Sequence, residues 1–494
     1  MELLLTALRF IGVLLLVILM FNIMIVVHEW GHFLAGRWRG LYIDRFQVWF
    51  GKPIWKKTYN GVQYGLGSIP AGGFVSLPQM APMESIEGTV EGEDAPKSLP
   101  PITPLDKIIV AFAGPLFSFL LAIFFAVVVW AVKKPVTETV ATTMIGQILE
   151  DSPASKAGLQ VGDTITFVDG KKVDRFHGMD RSIIWTIISS DNQNIEVDFI
   201  RPGAGEMSVV VERPVVAAKQ KFDGPWYQRY WNQISSRPGL RTIGIGPHCS
   251  PVVAETLPNS PAEAAGLKPA DIILRVDGRA ISQPEDFFDT PLVAGQAIAL
   301  DYRRGEKEFT TSVIPRVPEV AGTAPIIGLM WDLEGIRTLV RENPVTLVVT
   351  SFQSIIKTLK AVFSPRSDVK AGHLSGPFGI MGTYYDLFQH QDGWRMALWF
   401  SVLLNVNLAI LNLMPFPVLD GGHIVMSVFE WIRRRPVPLK ILEVVQTAFV
   451  LFLLGFMAFV TLKDVGDRIP DGPGAEKKVA PEFLPLKDSA SPTA

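Results

Sequence analysis

The chain has 494 residues, of which 48% are hydrophobic and only 19% are charged. This length allows several domains, and a mean hydropathy of +0.28 fits a membrane protein that also has soluble parts. The formal net charge of −2 excludes a global basic field for nucleic acid, so no nucleic-acid partner is expected. The single cysteine, Cys249, excludes intramolecular disulfides and a cysteine-rich zinc site.

Four stretches are long and apolar enough to cross the hydrocarbon core of a bilayer as helices. The first could also be a cleaved signal peptide, but no small-residue cleavage site follows it. A fifth apolar stretch, 344–363, contains Lys357 and Lys360. These lysines favour an amphipathic helix at the outer membrane interface within 340–380. The four predicted membrane helices lie at about 10–27, 108–132, 396–419 and 444–462.

The sequence His28-Glu29-Trp30-Gly31-His32 stands where the first apolar stretch ends. If the helix continues through this motif, His28 and His32 lie on one face, where two imidazoles can share a Zn²⁺ ion. Glu29 can then act as the general base that takes a proton from water. Ionisable residues at membrane depth are costly and mostly functional. The motif therefore favours a catalytic zinc site over a pair of buried structural histidines.

Basic residues in the short loops predict the orientation of the helices in the membrane. The loop after the first span carries six Lys and Arg residues within 37–57, and the loop between the third and fourth spans carries four within 433–440. Both loops are therefore expected in the cytoplasm, although Lys133 and Lys134 favour the opposite arrangement. Residues 133–394 would then lie outside, and the histidine motif would lie towards the cytoplasm.

A zinc site of this kind needs a further protein ligand. The metzincin arrangement is excluded. It would need Gly three residues after His32 and another His three residues further on, but this chain has Ala35 and Trp38 there. Asp420, in the Leu-Asp-Gly-Gly sequence at 419–422, is the better candidate, since a buried carboxylate there needs a neutralising cation. Its two glycines would let the backbone turn close to the metal. The alternatives are an ordinary Asp-Gly-Gly turn that leaves the membrane and His423 as a second candidate ligand.

The third span also contains polar residues and prolines. Asn407 and Asn412 either form hydrogen bonds between helices or hold the backbone of an unwound substrate helix near the zinc. Pro415 and Pro417 predict that the helix breaks before Asp420.

Residues 60–77 are typical of a β element, because Asn60-Gly61 is a hairpin signal and apolar residues alternate over 62–66. Such an element could re-enter the membrane where protein covers it. It could also offer an edge strand to an extended substrate. The alternative is a cytoplasmic surface hairpin. The substrate contacts predicted within the element are Gly67, Ser68, Gly72 and Gly73.

Residues 152–173 and 260–281 are an internal duplication, with eleven of 22 positions identical and no gap. A helix that ends at Ala-Gly-Leu, a polar turn and a strand that ends at Val-Asp-Gly resemble PDZ domains of bacterial proteases. Two PDZ domains are predicted, at 136–225 and 240–315. Such domains bind extended peptides by strand addition. They either control the access of substrates or act only as spacers.

Three sequence features together resemble the site-2 protease family: the histidine motif, Ala113-Gly114-Pro115, and the stretch 412–423 that ends in Leu-Asp-Gly-Gly-His. The resemblance implies zinc as cofactor, His28, His32 and Asp420 as its ligands, and Glu29 as the base. It favours a substrate role for Asn407 and Asn412. It also implies cleavage of transmembrane segments, namely those of an anti-sigma factor trimmed outside and of remnant signal peptides, in envelope stress signalling at the bacterial inner membrane. Ser118 departs from the family, which commonly has Asn there, and altered packing is expected.

The predicted fold is a multi-pass α-helical membrane protein with four transmembrane helices, a membrane-associated β-hairpin element and two inserted α+β PDZ domains. A non-enzymatic membrane scaffold that collects periplasmic proteins through its PDZ domains is the first rival, and a transporter is the second. The intact zinc motifs argue against the scaffold. The predicted regions are 1–132, 136–225, 240–315, 340–380, 395–463 and a flexible tail at 464–494.

Overall fold

The computed structural model describes residues 2–80, 101–212, 215–216, 235–320, 324–390, 392–435, 439–468 and 481–483. The acidic, proline-rich stretch 79–103, whose composition predicts a flexible connection, lies mostly outside these residues, as does most of the predicted tail. Within the described part of the tail, residues 464–468 continue the last helix, and residues 481–483 contact the second inserted domain.

Long apolar helices form the membrane part of the chain. Among the described residues, five helices are long and apolar enough to cross a membrane, judged by length and composition. One of the five is the 344–363 helix, which the sequence analysis assigned to the interface, so the number of spans stays a prediction. The five helices are α1 (Glu2–Trp38), α2 (Pro104–Val132), α8 (Pro344–Phe363), α10 (Gly393–Asn412) and α12 (Leu439–Arg468).

The two shorter helices α9 (Pro377–Gln389) and α11 (Asp420–Arg433) flank α10 in the chain. The prediction that the third span continues to about 419 is wrong at its carboxyl end. The helix ends at Asn412, and a separate helix begins at Asp420. Pro415 and Pro417 explain the break, because proline lacks an N–H and its ring clashes with the preceding turn of a helix.

A four-stranded sheet follows α1 and packs beside it. Its strands are β1 (Arg45–Phe50), β2 (Trp55–Tyr59), β3 (Val62–Leu66) and β4 (Ile69–Ser76), in the order β2-β3-β1-β4. The predicted hairpin at Asn60-Gly61 is present, and both of its residues have the positive φ that this turn requires. The local sequence pattern did not predict β1, which pairs in parallel with β3 and antiparallel with β4.

Each repeat folds into an α+β domain between α2 and α8. Domain 1 contains β6 (Ile145–Ile148), α4 (Pro153–Lys156), β7 (Thr164–Val168), β8 (Lys171–Lys172), α5 (Ile183–Ile188), β9 (Ile195–Arg201), β10 (Gly205–Val211), β11 (Val215–Val216), β12 (Arg241–Thr242) and β13 (Ile245–Pro247). Domain 2 contains β14 (Val252–Thr256), α6 (Pro261–Ala264), β15 (Ile272–Val276), β16 (Arg279–Ala280), α7 (Pro284–Phe288), β17 (Ile298–Arg304), β18 (Lys307–Val313) and β19 (Leu329–Asp332).

Two of the predicted domain bounds differ from the structure. Residues 245–247 pair with β6 and therefore complete domain 1 rather than begin domain 2. Residues 329–332 pair with β14 and therefore extend domain 2 beyond 315. In both domains the last strand is separated from the repeated motif by a long stretch of chain, so the local sequence pattern did not reveal it.

Several contacts among the described residues join the domains to the helices, and three of them show on which side the domains lie. The first lies directly after α2, where β5 (Lys134–Thr137) pairs with β20 (Arg337–Val340) and leads into α3 (Glu138–Ala141). In the second, Arg237 is 2.7 Å from Asp464 at the carboxyl end of α12. In the third, the backbone of Glu482 pairs with that of Val320 of domain 2. The domains therefore lie at the carboxyl ends of α2 and α12. This side of the molecule is called the domain side.

Candidate metal centre

The side chains of His28, His32 and Asp420 converge on one point. Each residue offers one ligand atom, and these atoms lie within 4.8 Å of one another. The Nε2 atoms of the two histidines are 3.3 Å apart. Nε2 of His28 is 3.3 Å from one carboxylate oxygen of Asp420, and Nε2 of His32 is 3.4 Å from the other. All three side chains are buried.

Both imidazoles are held by their other ring nitrogen. Nδ1 of His28 is 2.9 Å from the hydroxyl of Ser118, and Nδ1 of His32 is 2.8 Å from the carbonyl oxygen of Val110. A carbonyl only accepts, so His32 donates from Nδ1 and its Nε2 lone pair points to the common centre. Such contacts fix the tautomer and orientation of a metal-binding histidine. Ser118 thus contacts the site directly.

Glycine at two positions lets α1 and α2 approach closely at the site. A Cβ on Gly31 would lie 2.4 Å from the carbonyl oxygen of Ala113. A Cβ on Gly114 would lie 2.2 Å from Nε2 of His32 and 2.8 Å from Nε2 of His28. Gly114 therefore leaves open the space in front of the ligand nitrogens. Both glycines stand in the motifs that the sequence shows, but their steric roles depend on helix packing and could not be predicted from local patterns.

Asp420 is the first residue of α11, and the Leu-Asp-Gly-Gly sequence begins a helix rather than forming a turn. The expectation that its glycines turn the backbone is therefore wrong. Instead, a Cβ on Gly421 would lie 2.3 Å from the carbonyl oxygen of Leu413, and one on Gly422 would lie 2.0 Å from that of Phe416. Both glycines allow the segment after α10 to pass over α11. His423 is buried, but it lies outside the ligand group.

Glu29 lies between the two histidines and faces the sheet. The backbone of Val75 in β4 lies next to its carboxylate. A Cβ on Gly73, also in β4, would lie 3.6 Å from Cγ of Glu29. Since β4 is the last strand in the sheet order, an edge strand runs directly past the candidate base.

The other predicted β residues have different nearest neighbours. Cβ atoms on Gly67 and Gly72 would clash with the backbone and the ring of Phe50, respectively. Ser68 lies next to Gly51. Of this predicted set, Gly73 is the residue for which the structure shows a close approach to the base.

The predicted asparagines lie on α10 and outside the ligand group. Asn407 and Asn412 are both half-buried. A third amide, Asn405, is fully buried, and its Nδ2 donates to the carbonyl oxygen of Ser401 over 2.8 Å. Its Oδ1 atom has no hydrogen-bond partner among the described residues. Two buried side-chain bonds, from Tyr384 to Ser401 and from Ser401 to Ala397, extend this cluster.

The donor set fits zinc. Two imidazole nitrogens and one carboxylate oxygen are the protein ligands of many catalytic zinc ions, which keep a further position open for water or substrate. The space in front of Gly114 lies beside the same nitrogens. The lone thiol, Cys249, lies next to domain 2 and outside the ligand group.

Comparison with known proteins identifies the class. The model of peptidase family M50 matches residues 16–456, so the chain belongs to this family, and it is a zinc metalloprotease. Protease RseP of Yersinia pestis is 28% identical over 462 residues, covering 89% of this chain and 95% of the relative. The regulator of sigma-E protease RseP of Salmonella typhimurium is 26% identical over 469 residues, covering 90% and 96%. A Neisseria meningitidis relative whose name includes the words zinc metalloprotease is 28% identical over 461 residues, covering 90% and 96%.

Among solved structures, the chain is similar to the PDZ domain of an SdrC-like protein from Listeria monocytogenes. The two are 22% identical, with coverage of 18% of this chain and 95% of that domain, and a TM-score of 0.15. An HtrA-type protease in complex with a decapeptide is 14% identical, with a TM-score of 0.12.

Proposed function

We propose that His28, His32 and Asp420 hold the catalytic zinc and that Glu29 is the general base for hydrolysis of peptide bonds in transmembrane substrates. The observation that carries this proposal is the convergence of three buried ligand atoms within 4.8 Å, with Glu29 in the same helical turn. When bound, zinc acts as a Lewis acid that polarises the peptide carbonyl and acidifies a water molecule. Glu29 takes the proton of that water and transfers it to the leaving amide nitrogen.

The substrate is proposed to bind along the outer edge of β4. A transmembrane helix must unwind before a protease can reach its backbone, and an extended segment can add to an exposed strand edge. The close approach of Gly73 to Glu29 would bring such a segment to the base. Asn407 and Asn412 are proposed to bind the freed backbone groups, because unsatisfied groups in lipid are costly.

The site is proposed to lie towards the cytoplasm. Val110, which holds His32, lies only six residues after the start of α2, about 9 Å at 1.5 Å per residue. The domains follow the other end of α2. The loops rich in Lys and Arg and the position of Val110 near the start of α2 both support the predicted orientation. Arg434→Cys in a Cys249→Ser background should resist membrane-impermeant thiol reagents in sealed cells, whereas Lys268→Cys in domain 2 should label. The opposite pattern would invert the orientation.

Contacts at both ends of α8 support the prediction that this helix lies at the interface and does not cross. Its start follows β20, which pairs with β5 directly after α2. Near its end, Lys357 contacts Asp180 of domain 1, and Ala361 packs against Ile188. Both ends therefore meet elements on the domain side.

The domains are proposed to be PDZ domains that limit access by size. A substrate with a bulky external part must pass them before its helix meets Glu29. Replacing residues 138–335 with a short linker, which keeps the pairing of β5 with β20, should allow cleavage of an untrimmed substrate that the intact enzyme rejects, while a trimmed substrate is cut by both. Equal zinc content in the two enzymes is the control. Continued rejection of the untrimmed substrate would exclude the filter. The natural substrates proposed from the family resemblance are an anti-sigma factor and remnant signal peptides.

A further inference from the structure

A cleft on the domain side is lined by cationic side chains from two separate elements. It has a volume of about 430 Å³ and lies between domain 1 and the last turns of α8. Domain 1 contributes residues of β8 and α5, including Trp185. One lining carboxylate, Asp191, is present. The cationic lining residues are Lys171, Lys172, Arg181, Lys357 and Lys360.

Protein carboxylates neutralise only part of this charge. Lys357 contacts Asp180, and Arg181 is 2.8 Å from Asp174. Asp191 accepts a hydrogen bond of 2.8 Å from Ser364. In the part of the chain that the structure describes, the remaining three lysines of the cleft have no ion-pair partner: Lys171, Lys172 and Lys360. The cleft therefore has a surplus of positive charge that suits an anionic ligand.

The helix beside the cleft has an exposed apolar row. Val345, Val349, Phe352 and Phe363 are 70%, 45%, 48% and 78% exposed, and their spacing of four, three and eleven residues places them on one face of α8. The opposite face packs through Leu347 and Ile355 against α2 and α10. With α8 at the interface, as proposed above, the exposed row would face lipid at the level of the headgroups.

The cleft borders this lipid-facing row. Lys357, Lys360 and Ser364 follow one another at helical spacing and form a row of their own on the flank of α8. Trp185 faces the same cleft from domain 1, and tryptophan favours the membrane–water interface. A ligand in the cleft would therefore have a negative group among the lysines and an apolar part along the exposed row.

We propose that this cleft binds the phosphate headgroup of an anionic phospholipid of the outer leaflet, with the acyl chains along the exposed row of α8. The continuity of the charged and apolar surfaces favours a lipid over an acidic peptide. Bound lipid would fix domain 1 against the membrane surface. The proposal uses the predicted membrane placement but is independent of the zinc chemistry, so a binding assay on the inactive Glu29→Gln chain tests it separately.

The test is native mass spectrometry of the full chain in neutral detergent, titrated with phosphatidylglycerol or phosphatidylcholine. We expect preferential binding of phosphatidylglycerol. The combined change Lys171→Glu, Lys172→Glu and Lys360→Glu should weaken that binding roughly tenfold or more. The control carries the same charge change at three exposed lysines outside the cleft, Lys156→Glu, Lys268→Glu and Lys307→Glu, and should bind as the parent does. If the first variant fails to fold, Lys360→Gln alone should still weaken binding.

Several outcomes would overturn the proposal. Equal binding of the two lipids would show that the headgroup charge is not recognised. An equal loss of phosphatidylglycerol binding in the cleft variant and in the control would show a general effect of charge. Inorganic phosphate that displaces the lipid at similar concentration would indicate a simple anion site, and a polyglutamate peptide that binds in its place would indicate a peptide site.

Discussion

Gly114 of α2 faces Nε2 of His32 so closely that a Cβ at this position would lie 2.2 Å from that nitrogen. The contact joins the second membrane helix to the first at the ligand atoms themselves. Neither imidazole can turn away freely, because Nδ1 of each already has a partner in α2. The shape of the candidate metal centre therefore depends on Gly114, which has no side chain and cannot itself bind metal or react.

Gly114→Ala should abolish zinc binding and cleavage. Alanine favours a helix over glycine by about 1 kcal/mol, so a loss would come from steric exclusion at the site rather than from a weaker helix. Zinc content and thermal unfolding of the purified variant measure the two effects. Gly455→Ala is the matched control, because a Cβ there meets no atom within 4 Å. Normal zinc content in Gly114→Ala would mean that the ligand nitrogens do not share the space in front of this glycine.

Ser118→Ala should weaken zinc binding, since it removes the hydroxyl that contacts Nδ1 of His28. Loss of such a partner typically costs a factor of about 10–100 in metal affinity. Competition with a chelator gives the affinity without any activity assay. Ser351→Ala is a suitable control, because that buried hydroxyl bonds only to Leu347 of its own helix among the described residues. Equal affinities in the two variants would remove Ser118 from the site.

Asp420→Ala should lower zinc occupancy and abolish cleavage, whereas His423→Ala should retain zinc. The two side chains are similarly buried, 7% and 6% exposed, but only Asp420 belongs to the ligand group. Metal analysis after dialysis distinguishes the two variants. If the outcomes were exchanged, His423 would be the third ligand.

Phe483→Ala should release the tail from domain 2. The ring is 4% exposed, and the guanidinium carbon of Arg316 lies over it, 5.4 Å from the ring centroid. The backbone N–H of Val320 donates to Glu482 over 3.3 Å, so its hydrogen exchange should become faster once the tail leaves. The N–H of Val313, within the β17–β18 pairing, is the internal control. Unchanged protection of Val320 would show that this residue is held by other contacts.

The sequence predicted the parts of the site that local patterns encode. The histidine motif, its helix and Asp420 were all readable, because ligand chemistry and helical spacing act over a few residues. The contacts of Ser118, Gly114 and Val110 were not, since they depend on how closely two helices approach. The same limit explains β1 and the last strand of each domain, whose partners are distant in the chain.

The prolines after α10 show where local rules were sufficient and where they were not. Pro415 and Pro417 correctly predicted a break before Asp420. They did not reveal that Gly421 and Gly422 would be in the first turn of a new helix. Two adjacent glycines after an aspartate are typical of a turn. Here the two glycines instead leave room for the backbone of the preceding segment.

The most direct test of the central claim is Glu29→Gln in the full chain, with zinc content and cleavage of a transmembrane peptide measured on the same sample. The three proposed ligands are untouched, so zinc should stay at the parent level. Cleavage should fall by a factor of about 10²–10⁴ or more, because the proton acceptor for water is lost. Parent-level cleavage with full zinc would contradict the assignment of Glu29 as the base and, with it, the proposed chemistry of the site.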